Sequence, residues 1–212
     1  MLNIEAFVFN AFQENTYVLY NEQKQCWIID PGMYDEREIN GFIQYLNDNK
    51  LEPQAIINTH GHLDHIFGIK ALKDKYNIRF GIHEGETPVL NNAVGSAMLF
   101  GFQMSENPIP DFYIKEGETI SLGDDKLEVR FTPGHSPGSV SFYYPNGNWV
   151  IAGDALFAGS IGRTDLPGGN HEILLNSIHT QLFNLPGNTL VYSGHGPATS
   201  IENEVRYNPF FQ

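Results

Sequence analysis

Residues 59–65, with the sequence Thr-His-Gly-His-Leu-Asp-His, bring three imidazoles and one carboxylate together in a short stretch. The stretch follows the apolar run Ala55-Ile56-Ile57, which is typical of a buried strand. Neutral imidazole and carboxylate groups suit zinc, iron or manganese better than calcium. So short a run cannot direct all four groups at one tetrahedral ion without strain. We therefore expect two neighbouring ions with further ligands from elsewhere; the alternative is a solvated polar loop.

Three further residues of metal-binding type follow predicted strands later in the chain. His135 comes after residues 126–131, Asp154 after residues 149–152 and His195 after residues 189–192. Glycines flank all three, and glycine permits tight backbone paths and close approach to a ligand. A single histidine after a strand is usually polar surface. Because four strand ends carry such residues, we expect sheet edges to converge and form one metal site.

A scaffold rich in sheet must position these residues. Between residues 27 and 82, strand-length apolar runs alternate with amphipathic stretches of helical period, which indicates α/β layering. From residue 112 onward the pattern is mostly β, and Asn146-Gly147 predicts a hairpin turn. Two β-rich halves predict two sheets packed face to face with helices outside. The predicted strands cover residues 4–9, 16–20, 27–30, 55–58, 78–82, 112–114, 126–131, 139–144, 149–152 and 189–192, and the predicted helices cover residues 35–49, 66–76 and 171–182.

Composition narrows the class of protein. The chain of 212 residues, 41% apolar and 17% charged, predicts one globular domain over residues 1–212. A net charge of −13 argues against nucleic acid or an anionic membrane as partner. Cys26 is the sole cysteine, so no internal disulfide can form. Neither a signal peptide nor a run of ~18 apolar residues is visible, and we expect a cytoplasmic protein. The oligomeric state does not follow from the sequence.

Together these residues resemble the metallo-β-lactamase-fold superfamily. Its signature His-x-His-x-Asp-His matches residues 60–65, and its later ligands match His135, Asp154 and His195. Within the superfamily the chain is most similar to the glyoxalase II group, the hydroxyacylglutathione hydrolases, through residues 59–60, 64–68, 133–135 and 153–157. The resemblance implies an α/β fold, an αββα four-layer sandwich of two mixed β-sheets face to face with helices outside.

The resemblance also implies a binuclear site for two divalent ions. Zinc is the expected metal, with iron or manganese as alternatives. Such a pair lowers the pKa of a shared water to near neutrality, and the bridging hydroxide attacks a thioester carbonyl. Asp64 and Asp154 would thereby serve catalysis. The ligands implied are His60, His62 and His135 for the first ion, Asp64, His65 and His195 for the second, and Asp154 for both.

The stretch after the bridging aspartate bears on the substrate. In the glyoxalase II group a basic residue near this position holds a carboxylate of glutathione, and Arg163 matches it. A guanidinium suits bidentate capture of a carboxylate. The alternative is a structural pairing of Arg163 with Asp165. The expected substrate is a small thioester, S-lactoylglutathione or a related acyl thiol. The chain ends at Gln212, soon after His195, without the C-terminal helical domain of the longer enzymes, which weakens the case for glutathione.

Three other functions compete with thioester hydrolysis. Persulfide dioxygenases look similar, carry a Gly-Arg-Thr-Asp stretch after the aspartate, and use one iron at the positions of His60, His135 and Asp154. Hydrolysis of lactones or β-lactams is the second alternative. The third is a metal-binding module without catalysis. Metal content, together with turnover of a thioester, separates these alternatives.

Several residues outside the ligand set admit two interpretations. Asp30 either orients a metal-binding imidazole or forms a turn with Pro31-Gly32. The irregular apolar residues 94–104 either cover the site or pack into the core. Cys26 is interpreted as a packing residue. The remaining histidines are expected to be structural or surface residues, namely His83, His171 and His179.

Overall fold

The computed structural model describes residues 1–212, and its first layer of strands is a six-stranded mixed sheet. Its strands, in chain order, are β1 (Asn3–Phe9), β2 (Glu14–Tyr20), β3 (Gln25–Ile29), β4 (Glu52–Ile57), β5 (Arg79–His83) and β6 (Phe112–Ile114). Spatial order equals chain order: β1, β2 and β3 are antiparallel neighbours, whereas β3 to β6 run parallel. Parallel neighbours need crossover connections, and helices supply them.

The second sheet also has six strands and is largely antiparallel. Its strands are β7 (Thr119–Leu122), β8 (Asp125–Phe131), β9 (Val140–Tyr144), β10 (Trp149–Gly153), β13 (Leu190–Ser193) and β14 (Thr199–Ser200), and a separate small hairpin holds β11 (Leu156–Phe157) and β12 (Ser160–Ile161). The spatial order is β14, β13, β10, β9, β8, β7, with only β10 and β13 parallel. The carboxyl ends of β10 and β13 therefore meet at one edge.

Helices connect and cover the sheets. They are α1 (Glu36–Asp48), α2 (Ile69–Tyr76), α3 (Thr87–Asn91), α4 (Ala93–Leu99), α5 (His171–Ser177), which continues as one π-helical turn (Ile178–Leu182), and α6 (Ile201–Tyr207). The Asp35 carboxylate caps α1 by accepting from the backbone N–H of Glu38, and Phe42 and Leu46 form its buried stripe. None of the helices has the length and apolar content of a membrane-spanning segment.

Successive side chains of β3 point alternately into two different apolar cores, which shows how the layers pack. Trp27 and Ile29 face the core between the two sheets, whereas Cys26 and Ile28 pack with the apolar stripes of α1 and α2. A third apolar cluster joins α5 to the outer face of the second sheet. The predicted four-layer αββα sandwich is thus confirmed. Burial raises the pKa of the Cys26 thiol to about 12, which agrees with a packing role.

The structure departs from the predicted elements where strands are short and where helices are exposed. β7, β11, β12 and β14 were not predicted, because two to four residues give no readable period. Residues 94–104 are helical up to Leu99 rather than irregular, and Met98 and Leu99 on that helix are exposed. The hairpin predicted at Asn146-Gly147 is present: β9 and β10 are antiparallel neighbours, joined by a 3₁₀ turn, Pro145–Gly147, and by Asn148 in the left-handed region.

Candidate metal centre

All seven predicted ligands lie where the edges of the two sheets meet. β3 and β4 are parallel, so Asp30 and the segment 60–65 follow strands that end at the same edge. The β8–β9 connection contributes His135, and the parallel pair β10 and β13 contributes Asp154 and His195. The backbone N–H of Asn15 donates to the carbonyl of Gly194 at 2.7 Å and ties the first sheet to this edge. The strand order thus brings four separate stretches of chain into one site.

His60, His62 and His135 form the first group. One ring nitrogen of each lies within 4.8 Å of the others. The Nδ1 atom of His62 is 2.7 Å from the Nε2 atom of His135, and the His60 ring stands roughly perpendicular to both. This is the ligand set that the resemblance implies for the first ion.

Asp64, His65 and His195 form the second group, again with ligand atoms within 4.8 Å of one another. Asp64 Oδ2 lies 3.1 Å from His195 Nε2 and 3.7 Å from His65 Nε2. Asp64 and His65 both lie on the short 3₁₀ turn Leu63–His65, which follows the loop that carries His60 and His62.

Asp154 lies between the two groups. Its Oδ2 atom is 3.5 Å from His135 Nε2 and 3.5 Å from His195 Nε2, and its Oδ1 atom is 3.5 Å from His65 Nε2. A Cβ atom at Gly194 would stand 2.0 Å from Asp154 Oδ1, so only glycine leaves room for the carboxylate there. Asp154 is placed to contact ions in both groups.

The donor set fits divalent cations. His60 Nε2, His65 Nε2 and Asp154 Oδ1 are buried and have no hydrogen-bond partner within the protein. An orphaned buried polar atom costs about 1–3 kcal/mol, so three of them in one cluster indicate a ligand. Five imidazoles and two carboxylates are a donor set that zinc and iron prefer.

Burial keeps the three imidazoles of the first group neutral, which is the form that binds a metal ion. It lowers the pKa of His62 to about 3 and that of His135 to about 4, and that of His60 falls well below its usual value for the same reason. These imidazoles are therefore neutral at pH 7. Burial alone would also lower the pKa of His65, but the surrounding carboxylates of Asp64 and Asp154 raise it overall.

Four of the five imidazoles are oriented by an oxygen outside the cluster. His65 Nδ1 lies 3.2 Å from Asp30 Oδ2, which favours the orienting interpretation of Asp30 over a simple turn. Asp30 also accepts hydrogen bonds from the backbone N–H and the hydroxyl of Thr59, and its φ of 51° is left-handed. The other contacts are His60 Nδ1 to Thr59 Oγ1 at 3.0 Å, His135 Nδ1 to the Arg163 carbonyl at 2.8 Å, and His195 Nδ1 to the Phe12 carbonyl at 3.1 Å.

A cleft of about 840 Å³ opens above the cluster. Its floor includes His62, Asp64, His135, Asp154 and His195. The segment 94–104 lines it only through Ser96, Leu99 and Phe100; Met98 is exposed, and Met104 packs with the core that contains α1 and α2. The other apolar lining residues include Phe12, Leu63, Val89, Phe157, Ile161 and Leu166.

Arg163 is the only lysine or arginine that lines the cleft. Its guanidinium Nε and Nη2 atoms donate to the two carboxylate oxygens of Asp165 at 2.7 Å each, and both side chains are exposed. The pairing that the sequence raised as an alternative is therefore present. A substrate carboxylate would have to share or displace it.

Sequence reasoning missed three contributors to the site. Phe12 supplies a carbonyl to His195, and Glu14, fully buried, places its Oε1 atom 3.8 Å from His65 Nδ1. Glu86 accepts hydrogen bonds beside the histidine loops. None of these three residues belongs to a sequence motif. Only the acidic side chains of Glu14 and Glu86 could have marked them as candidates.

The remaining histidines lie apart from the cluster. His83 accepts from the backbone N–H of Gly85 and packs against Phe131, and His171 packs near Phe210. Neither these two nor His179 belongs to a group that could hold a metal.

The chain was compared with models of protein families and with known proteins. The sequence model of the Metallo-beta-lactamase superfamily matches residues 9–195. The probable metallo-hydrolase YqgX of Bacillus subtilis is 46% identical over 200 residues, which cover 93% of this chain and 92% of that protein. The hydroxyacylglutathione hydrolase GloC of Haemophilus influenzae is 35% identical over 211 residues, which cover 99% of this chain and 98% of that protein.

Solved structures agree with these sequence matches. The B3 metallo-beta-lactamase BLEG-1 superimposes with a TM-score of 0.91 at 40% identity, covering 99% of this chain and 100% of that one. TTHA1623, solved in a di-iron-bound form, gives a TM-score of 0.87 at 35% identity, covering 97% of this chain and 99% of that one.

Proposed function

The chain belongs to the metallo-beta-lactamase superfamily, and on that premise we propose that it is a metal-dependent hydrolase that cleaves a thioester, S-lactoylglutathione or a related acyl thiol. The observation that carries the proposal is the cluster of seven ligand side chains, with orphaned buried atoms, at the floor of an apolar cleft. The 35% identity to GloC over nearly the whole chain supports the substrate class.

His60, His62 and His135 would hold one ion, Asp64, His65 and His195 the other, and Asp154 both. When bound, the two ions would polarise the substrate carbonyl and bring the pKa of a water towards neutrality. The chain's own contribution is positional. The carbonyl oxygens of Arg163 and Phe12 can only accept, so their contacts with Nδ1 of His135 and His195 fix the tautomer and leave the other nitrogen to face the cluster. Oxygens of Thr59 and Asp30 lie near Nδ1 of His60 and His65.

The cleft walls suit an acyl thiol. Apolar side chains such as Leu99, Phe100 and Phe157 would bury the acyl group and exclude water from the carbonyl. Arg163, the only basic side chain of the lining, would bind a carboxylate remote from the thioester bond. Because that contact is equal in ground and transition state, it would lower KM rather than raise kcat.

Metal analysis paired with a substrate panel tests the proposal. We expect two ions per chain, and hydrolysis of acyl-glutathione thioesters at a kcat/KM at least tenfold above that for lactones or β-lactams. One iron per chain with oxygen consumption on a persulfide, and no thioester turnover, would replace the proposal with a dioxygenase. Metal binding without turnover of any compound would leave only a binding module.

A second candidate is β-lactam hydrolysis. The observation that favours it is the 40% identity and TM-score of 0.91 to BLEG-1, which is described as a B3 metallo-beta-lactamase. The same ions and cleft would serve an amide carbonyl. A kcat/KM for a chromogenic β-lactam that exceeds those for all thioesters would favour this candidate.

A further inference from the structure

The Glu86 carboxylate lies between the two loops that carry the first group of histidines. The side chain is fully buried at the start of the segment that forms α3. Its Oε2 atom accepts from the backbone N–H of Gly61 at 2.8 Å, and Oε1 accepts from the backbone N–H of Gly138 at 2.6 Å and from the Ser136 hydroxyl. Gly61 separates His60 from His62, and Ser136 follows His135 directly in the chain.

His62 needs support of this kind because its ring has none of its own. Each of the other four imidazoles contacts an oxygen outside the cluster through its second nitrogen. The only hydrogen-bonding contact of the His62 ring is His135 Nε2, itself a candidate ligand atom. The His62 ring is therefore placed by its backbone, and the neighbouring Gly61 N–H is tied to Glu86.

We propose that Glu86 is a positioning residue that sets the distance between His62 and His135 and thereby the affinity for the first ion. One carboxylate accepts three hydrogen bonds from the two loops, so neither loop can shift without breaking one of them. The backbones also touch here, since a Cβ atom on Gly138 would lie 2.6 Å from the Glu86 nitrogen. The inference rests on the metal centre and is independent of the substrate.

Glu86→Gln tests the role at nearly constant volume. The new NH₂ group would face an N–H donor in one of the loops, so at least one hydrogen bond is lost while the packing stays. The control is Glu204→Gln: Glu204 is equally buried and accepts from Gly159 N–H and Thr199 Oγ1, and it bonds no residue of the two loops that carry His60, His62 and His135.

The measurement is zinc affinity by competition with a chromogenic chelator, together with thermal unfolding of the metal-free proteins. We expect Glu86→Gln to weaken the binding of one of the two ions by about 10–100-fold, which is the usual effect of removing a group that orients metal ligands. The affinity for the second ion should change less than threefold, and Glu204→Gln should leave the affinity for both ions unchanged. Equal affinity for both ions in Glu86→Gln and wild type, or equal weakening in both glutamine variants, would overturn the proposal.

A double variant identifies the ion. If Glu86 acts through His62 and His135, the double variant His62→Ala, Glu86→Gln should bind its remaining ion with the same affinity, within twofold, as the single variant His62→Ala. A further loss of tenfold or more would mean that Glu86 supports the whole fold. Should Glu86→Gln not fold, Ser136→Ala removes one of the three bonds and should weaken the same ion by roughly fivefold; no change in Ser136→Ala would then overturn the proposal.

Discussion

Asp30 Oδ2 lies 3.2 Å from Nδ1 of His65, and both side chains are almost completely buried. Asp30 also accepts two hydrogen bonds from Thr59, so one carboxylate fixes the strand end that precedes the histidine segment and one of its rings. In Asp30→Asn the new NH₂ group would face either the backbone N–H of Thr59 or Nδ1 of His65, so one of the two contacts is lost. We expect zinc affinity to fall by about 10–100-fold, as measured by chelator competition. Asp35→Asn, the same substitution at the exposed cap of α1, is the control and should bind zinc normally; similar losses in the two variants would refute an orienting role.

Asp154→Ala and Asp64→Ala should differ in metal stoichiometry. Asp154 contacts histidines of both groups, whereas Asp64 contacts only the second. We expect Asp154→Ala to weaken both ions and Asp64→Ala to lose mainly one, measured as metal per chain after dialysis. Both variants should lower kcat on every substrate. An Asp154→Ala protein that keeps two ions and full activity would contradict the bridging position.

Arg163→Ala separates binding from chemistry. Loss of a charge-assisted hydrogen bond of ~1.5–3 kcal/mol should raise KM for an acyl-glutathione about tenfold or more and leave kcat unchanged. An acyl thiol without a carboxylate should be unaffected. Asp165→Ala discriminates further: it frees the guanidinium and should lower KM or leave it unchanged if Arg163 binds substrate. If both variants impair all substrates alike, Arg163 serves only the ion pair.

Leu99 and Met98 are neighbours on α4, but only Leu99 lines the cleft. Because a buried CH₂ group is worth ~0.8 kcal/mol, kcat/KM should rise at least tenfold from an acetyl to a hexanoyl thioester. Leu99→Ser should reduce the rise of kcat/KM with acyl chain length by about half, and Met98→Ser should leave it unchanged. A wild-type enzyme that is indifferent to chain length would show that the acyl group does not contact this wall.

Metal removal should lower the thermal stability. Each ion at 100 times its Kd adds about 2.7 kcal/mol, and a chain of this size changes Tm by about 2–4 °C per kcal/mol. Chelation should therefore lower Tm by roughly 10–20 °C, as measured by calorimetry with and without added zinc. An identical Tm in the two states would mean that the cluster binds no ion tightly.

The sequence predicted which side chains gather at the site, because each one follows a readable strand. Residues 60–65, His135, Asp154 and His195 all come after strands that were predicted within a few residues of their observed ends. The layered fold was predicted from the alternation of strand-like and helix-like stretches between residues 27 and 82 and from the two β-rich halves of the chain.

Residues that act on the site from outside its motifs could not be predicted. Glu14, Phe12 and Glu86 reach the cluster only through tertiary contacts between segments that are distant in the sequence, and a buried carboxylate looks the same in sequence as a solvated one. The sequence did not predict α4, because its apolar residues Met98 and Leu99 are exposed and so the apolar positions do not follow the spacing of a buried helix face.

The two halves of the chain share each group of ligands. His60 and His62 come from the first sheet and His135 from the second, and likewise Asp64 and His65 are joined by His195. Neither half can complete either site by itself. The complete set of ligands for each ion therefore exists only after the sheets have docked, and each bound ion would act as a removable cross-link between them. If the chain were cut between β6 and β7, tight zinc binding would report the reassembly of the two fragments.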